Sequence, residues 1–409
     1  MSLANRWRIY IRPFDANGDL ADWVEVTDDV VENSLGAVQQ DLDNVDYNVG
    51  VFRNNSVAIT LRNDHGRYSD VGVEQSIFQF KRIDSLVKIT YEPELEAPLL
   101  GSSFLGDVFL SEGETEVFFG LLNDESLAMD LDSQQVQFQV LGRESVLDRM
   151  KVPYGSLTNG DLISEVIFTC LNDSRVTDLL TLDVGNIDCE TDVAIDDVTK
   201  FENKTVKTAL QELLLCANSV MFIENGTIYV TPRTATPDVK FTFYGQASPN
   251  GPENIVTVKG IKNGVSRTFN FWVWRDTSLK SENATSSSLY GVRRKEIDVP
   301  YITNNTSRQT ILDNLKSEFG NPKMELELTT PFSLSSFAVT LLDRVVIDYP
   351  TVYVQTETPA PICGVAICGE VTLPRGLWSF TMDSTRPFKV LGRAIDMKKS
   401  QIRFKLREI

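Results

Sequence analysis

Cys363 and Cys368 bracket four residues in Cys363-Gly-Val-Ala-Ile-Cys368. Thiolates at that spacing can hold a metal or an iron–sulfur cluster, provided further thiolates complete the set. The remaining cysteines, Cys170, Cys189 and Cys216, lie in another part of the chain. A metal or cluster at Cys363 and Cys368 would therefore draw on pairs from several chains meeting on a symmetry axis. Inert thiols are the alternative. The single histidine, His65, removes chemistry built on several imidazoles and permits a Ser-His-Asp triad only with His65 as its base. It stands inside Asn63-Asp-His-Gly66, a turn signal, which favours a hydrated turn residue over a catalytic one.

The carboxylates are too many to be diagnostic. With 57 acidic residues, close pairs suited to glycoside hydrolysis are guaranteed by number alone. Asp15-Ala-Asn17-Gly-Asp19 and Asp41-Leu-Asp43-Asn-Val-Asp46 bring oxygen ligands together as calcium loops do, yet neither has the full EF-hand spacing with its closing glutamate. Phe269, Phe271, Trp272 and Trp274 could form a sugar-stacking platform. They lie in an alternating run that is apolar on both faces, which fits a buried strand better. No GxSxG, HExxH, P-loop or GxGxxG motif occurs. No catalytic and no cofactor-binding residue is nominated, and the chain is expected not to be an enzyme.

The elements that must position any site come next. At 409 residues and 42% hydrophobic, the chain can bury a sizeable core and divide into two or three domains. Its net charge is −18, divided unevenly: residues 1–150 carry 11 basic and 27 acidic groups, 151–235 carry 6 and 13, and 236–409 carry 22 and 17. That balance argues against general nucleic-acid binding and suits a surface to which phosphates must not stick. The N-terminus has no apolar leader, and no run approaches the length of a membrane span. A soluble protein made in a reducing cytoplasm is expected.

Residues 1–150 read as a β-domain. Trp7-Arg-Ile-Tyr-Ile-Arg12 and Ser56–Arg62 alternate apolar and polar residues, the latter with Val57, Ile59 and Leu61 on one face, and the pattern returns at 86–91, 116–122 and 136–142. Residues 151–235 read as a helix-helix-hairpin insert. A first helix near 161–171 is capped by Thr158 or Asn159, and a second carries Val206, Leu210, Leu213, Leu214 and Ala217 inward. A hairpin then turns at Asn225-Gly226. The acidic stretch from Asp183 to Asp197 is expected to be a solvated loop. Residues 236–409 return to strands, with a mobile polar loop from Asp276 to Ser288. One helix is opened by the Thr306–Gln309 capping box, with Ile311, Leu312, Leu315 and Phe319 inward, and is ended by Gly320. The tail from Arg386 holds 8 basic and 2 acidic residues; it is either a docking strip for an acidic neighbour or an ordinary charged strand.

In this order the pieces resemble the tail hub proteins of bacteriophages, including the baseplate hubs of contractile tails, their siphophage counterparts and type VI secretion spike hubs. Three stretches carry the resemblance. Phe52–Arg67 is similar to the strand and turn of a first barrel. Thr205–Leu214 with Met221–Val230 is similar to the insert. Ser288–Ile297, the 306–319 helix and Leu342–Pro350 are similar to a second barrel. Thr351–Pro374, which holds both C-terminal cysteines, matches no part of that pattern. The resemblance implies a mainly β (α+β) fold of two tube-like antiparallel β-barrel domains around the insert. It further implies a homotrimeric ring in the virion that adapts a six-fold tail tube to three-fold tip proteins. The distal tail or tube protein would lie above it, with the tape measure protein as a further neighbour. Tip, fibre or receptor-binding proteins would lie below, and phage DNA would pass through an acid-lined lumen without specific binding. The alternatives are a hexameric distal tail adaptor and, from another class, a carbohydrate-active depolymerase using paired carboxylates.

Overall fold

The computed structural model describes residues 7–31, 34–42, 55–69, 71–92, 114–130, 132–246, 253–263, 268–355, 377–382 and 386–409. Seven strands come first: β1 (Trp7–Arg12), β2 (Val24–Glu25), β3 (Val38–Asp41), β4 (Ser56–Arg62), β5 (Leu86–Tyr91), β6 (Thr115–Asp130) and β7 (Gln135–Gly142). Alternation decides their faces. In β1 the side chains of Trp7, Ile9 and Ile11 are buried, and in β4 those of Val57, Ile59 and Leu61, because successive side chains of a strand point to opposite sides.

Helices α1 (Ile163–Leu171), α2 (Ser174–Thr177) and α3 (Val206–Cys216) follow, then the hairpin of β8 (Ser219–Glu224) and β9 (Thr227–Pro232). The Thr205 hydroxyl caps α3 by accepting the Thr208 N–H at 3.2 Å. Neither Thr158 nor Asn159 caps α1. Glu165 accepts the Leu162 N–H at 2.8 Å, the first N–H groups of the helix, on Ile163 and Ser164, go to the Val193 carbonyl at 3.1 Å and Asp192 at 2.9 Å, and the Asn159 side chain accepts from Val198. The hairpin turns at Asn225 and Gly226, both at positive φ, as a two-residue turn matched to strand twist requires.

The remaining elements are β10 (Val239–Tyr244), β11 (Thr257–Asn263), β12 (Phe271–Trp274), β13 (Lys280–Glu282), α4 (Ala284–Tyr290), β14 (Arg294–Ile297) and α5 (Asn305–Phe319), then β15 (Met324–Pro331), α6 (Leu334–Phe337), β16 (Arg344–Gln355), β17 (Leu377–Met382), β18 (Pro387–Asp396) and β19 (Gln401–Glu408). The expected mobile loop at 276–288 contains β13 and the start of α4. β13 pairs with β12, and Asn283 caps α4 by accepting the Ser286 N–H at 3.1 Å. Polar composition there reflects capping chemistry. Likewise α5 opens two residues earlier than the Thr306–Gln309 pattern suggests, on Asn304, whose side chain accepts from Thr306 and Ser307. Its inward residues are Ile311, Leu312, Leu315 and Phe319, and it stops before Gly320.

The fold is mainly β, built on a large antiparallel sheet with few helices. Fourteen strands join in one network, ordered β11-β15-β19-β18-β3-β4-β7-β6-β5-β1-β2, with β10, β16 and β17 attached through β16·β18. The N-terminal and C-terminal strands meet where β3 pairs antiparallel with β18, from Gly392↔Asp41 to Ile395↔Val38. Among the described residues the strands form no closed barrel: the path ends at β2 and at β11.

Apolar side chains gather in two clusters. One runs through both halves of the large sheet, from Trp7 and Ile9 to Phe404 and Leu406. The other joins α1, α3, the hairpin, β12, β14 and α5, with Trp272, Phe201 and Tyr301 at its centre. The hairpin serves both, since Val220 belongs to the first cluster and Met221, Ile228 and Val230 to the second.

Candidate functional site

A cleft of about 470 Å³ opens where three parts of the molecule meet. Its walls come from β6 and the end of β7, from the β8–β9 turn, and from β10, β18 and the segment after α6. Gln40 and Arg393, cross-strand partners at the β3·β18 seam, lie on its lining.

Arg393 is buried. Its Nε donates to Gln40 Oε1 at 2.9 Å and its Nη1 to the carbonyls of Phe337 and Val339 at 2.7 and 3.0 Å. The guanidinium also lies 5.1 Å from the Phe337 ring centroid, a cation–π distance. Burial pulls its pKa down to about 10, with Glu224 and Asp343 opposing.

Arg143 links the sheet to the insert. Its Nη2 meets Glu116 at 2.5 Å, its Nη1 donates to the Leu179 carbonyl at 3.1 Å, and its head lies 3.8 Å from the centre of the Phe119 ring. The same Nη1 rests against the hairpin turn, where a Cβ on Gly226 would come within 2.6 Å of it. Next in sequence, Glu144 is buried and accepts the backbone N–H of Asn55. Burial pushes its carboxyl up to about 7, against the opposing pull of the Asn55 N–H, its own N–H, Lys207 and Arg143. Lys240, also on the lining, pairs with Asp343 at 2.8 Å.

Glu116, Arg143, Glu144, Lys240 and Arg393 on this lining each join two separate stretches of chain. Arg143 ties the insert to β6, Arg393 ties β18 to β3 and to the segment after α6, and a neutral Glu144 lets a carboxyl stay buried there without a dedicated counter-ion. Arg143, Glu144, Arg393 and Gln40 went unread in the sequence. The one local signal was two cations, Lys389 and Arg393, inside the otherwise apolar run of β18.

The residues singled out by type are dispersed. Cys363 and Cys368 lie outside the described residues. Cys170 and Cys216 are buried, and burial raises both thiols above the ordinary range. His65 is exposed at the tip of its turn, where Asn63 Oδ1 accepts the Tyr68 N–H at 2.8 Å and Gly66 takes positive φ. The Asp15 carboxylate accepts the N–H groups of Asn17 and Asp19, closing its own loop. Asp41 pairs with Lys405 at 2.6 Å beside the seam; Asp43 and Asp46 lie outside the described residues. No group of three or more candidate metal ligands occurs among the described residues.

Trp272 and Trp274 are buried core, with Trp272 Nε1 donating to the Phe269 carbonyl at 2.7 Å, so they offer no stacking face. The acidic stretch 183–197 is structural where solvated loop was expected. Asp192 accepts from Ser164 of α1, Asp196 from the N–H groups of Thr303 and Asn304, and Asp197 from Thr199. Carboxylates at those places meet N–H groups that a helix start or turn leaves open.

Two groups of exposed apolar side chains remain on the surface. Val71, Val73, Phe80 and Ile83 lie on the loop between β4 and β5; Leu289, Tyr290 and Val292 lie at the end of α4 and just beyond it. Clusters of this kind mark contact surfaces more often than isolated apolar residues do. Among the described residues no helix is long and apolar enough to cross a membrane.

No protein-family model matches the sequence, and no curated protein does. Solved structures do match. A tail protein from Neisseria meningitidis MC58 superposes with a TM-score of 0.54 at 11% identity, over 98% of this chain and 96% of that one. The 43 kDa tail protein of prophage MuSo2 from Shewanella oneidensis gives 0.48 at 10% identity, over 98% and 97%. A prophage tail protein from Listeria monocytogenes EGD-e gives 0.48 at 12%, over 98% and 94%. The likeness to phage tail proteins first read from the order of the elements is therefore a likeness of fold, and it extends along nearly the whole chain.

Proposed function

We propose that this chain is a structural protein of a bacteriophage tail, acting as a hub at the tail tip or baseplate. In this reading it assembles as a homotrimeric ring in the virion, each subunit supplying two similar β units, and adapts a six-fold tube to three-fold tip proteins. The distal tail or tube protein and the tape measure protein adjoin it on one side; tip, fibre or receptor-binding proteins adjoin it on the other. DNA passes through the lumen, where carboxylates repel phosphates. The chain performs no reaction of its own.

One observation carries the proposal: the whole-length likeness of fold to the Neisseria meningitidis tail protein. The seam is in keeping with it, since a continuous sheet joins two β units in one subunit. Sheet ends at β2 and β11 and the exposed apolar groups supply surface on which neighbours can seat.

Light scattering after size exclusion tests the assembly. A mass of three 45.8 kDa chains is the expected result. Six chains would favour the hexameric distal adaptor, and a monomer at every concentration would overturn the ring. Turnover of a polysaccharide by the purified chain would replace the structural reading with the depolymerase.

A further inference from the structure

Two strand edges border the cleft between the sheet and the hairpin. Residues 115–119 of β6 line it without a gap, as do residues 222–226 of the β8–β9 hairpin. Successive side chains of a strand point to opposite faces, so five consecutive strand residues meet one hollow only where the strand turns its edge toward it. The edge of β6 is open because β7 stops short. Their pairing begins at Gly120↔Gly142, the chain then turns away through Arg143–Asp148, and residues 115–119 pair with β5 alone. β8 likewise pairs only with β9.

Register shows which backbone groups these edges present. The Leu122 N–H donates to the Ser85 carbonyl at 2.9 Å, toward β5, and alternation then turns the N–H and C=O of Phe119 to the free side. On β9, Ile228 donates to the Thr181 carbonyl at 3.0 Å and Val230 accepts from Asp188 at 2.9 Å, both away from β8. Their cross-strand partners, Ile223 and Met221, therefore present their own N–H and C=O groups away from β9. Ile223 lines the cleft and Met221 the small hollow beside it. Among the described residues no strand answers any of these groups. Val117, Phe118, Phe222, Phe337 and Leu341 supply apolar wall. The cations of the lining are already engaged, Arg143 by Glu116, Lys240 by Asp343 and Arg393 by carbonyls. Glu224, beside the turn, makes no ion pair among the described residues.

We infer that an extended segment of a partner protein docks in this cleft as an added strand between the free edges of β6 and β8, carrying apolar side chains and a lysine or arginine that meets Glu224. A peptide is called for because open N–H and C=O groups at strand spacing are answered by a second backbone. Apolar side chains follow from the aromatic walls. The basic residue follows from charge. β6 belongs to the stretch 1–150, with 11 basic and 27 acidic groups, and the hairpin to 151–235, with 6 and 13. At ~3.4 Å per residue, the open edge of β6 seats a segment of about five residues. The site stands apart from the tail-hub reading, since a chain that forms no trimer would still offer both edges.

The test is calorimetric titration of the full chain with a short capped peptide of alternating valine and lysine, and with two versions of it N-methylated at one or the other set of alternate residues. Methylation keeps the charge and the side chains but removes the donors of one edge. Saturable binding of the parent peptide is expected, weakened about tenfold or more in each methylated form. Hydrogen exchange read by mass spectrometry should show residues 115–119 and 219–224 gaining protection when the peptide binds. Ile223→Pro removes one outward donor, at a place where an edge strand tolerates proline, and should weaken binding about tenfold. Circular dichroism shows whether that variant is folded; if it is not, the methylated peptides decide alone. Glu224→Gln should weaken the lysine peptide about threefold or more. No saturable binding, binding that methylation leaves unchanged, or protection confined to other segments overturns the site.

Discussion

Glu144 is the residue whose environment makes the sharpest demand. Its carboxyl is buried beside the cleft and titrates near 7, so in the folded chain it holds its proton well above the ordinary carboxylate value of 4.5. A raised folded pKa contributes stability that is complete below the unfolded value and is lost as pH rises through about 7. Above that, the native chain carries a buried anion. Glu144→Gln keeps the shape and an acceptor for the Asn55 N–H while staying neutral. The variant should match the native chain in acid and exceed it in stability above pH 7, by an amount on the order of 3 kcal/mol. Urea unfolding across the pH range measures this, and a difference that does not vary with pH would sink the account. The cause of this behaviour was out of reach of sequence reading. Glu144 follows a strand in the ordinary way, and its surroundings come from remote stretches of chain, among them Asn55, 89 positions earlier, whose N–H it accepts.

At the scale of elements, the hairpin and Arg143 act as one device. Gly226 holds a left-handed backbone at φ +77, and a side chain there would meet the guanidinium that fastens the insert to β6. Gly226→Ala should cost about 1 kcal/mol from the backbone and a further amount from displacing Arg143. In an Arg143→Ala background only the backbone part should remain. A double-mutant cycle by chemical denaturation reads the difference, and strict additivity would show that the contact does not matter. Elements with a strong local period were legible: β1, β4, α3 and this hairpin each announce themselves by spacing or turn chemistry. Short polar elements were not. β13 and α4 carry little apolar pattern, and they exist because β12 offers an edge and Asn283 offers a cap.

The molecule as a whole depends on the seam. At Gly392 the side chains of Asp41 and Lys405 close over β18: a Cβ would fall 2.3 Å from Asp41 Oδ1, and that carboxylate is itself held by Lys405 at 2.6 Å. Gly392→Leu should push the two halves of the sheet apart. Scanning calorimetry of the variant is expected to show two separate transitions where the native chain shows one. A single transition at an unchanged midpoint would mean that the halves are coupled elsewhere. Strand pairing between remote segments is the part of a fold that local patterns encode least. β3 is short and largely polar, β18 is a mostly buried run without alternation, and nothing in either says that they are partners.

That pairing also fixes an order of events as the chain is made. Gln40 must wait for Arg393, 353 residues later, and Asp41 for Lys405, 364 residues later. Until those residues emerge, β3 leaves the ribosome with one edge unsatisfied, and contacts this distant are the slowest to form. The N-terminal half therefore spends nearly the whole of synthesis with an open strand edge, in its most acidic stretch. Like charge on emerging neighbours then keeps such edges from finding one another before the proper partner arrives.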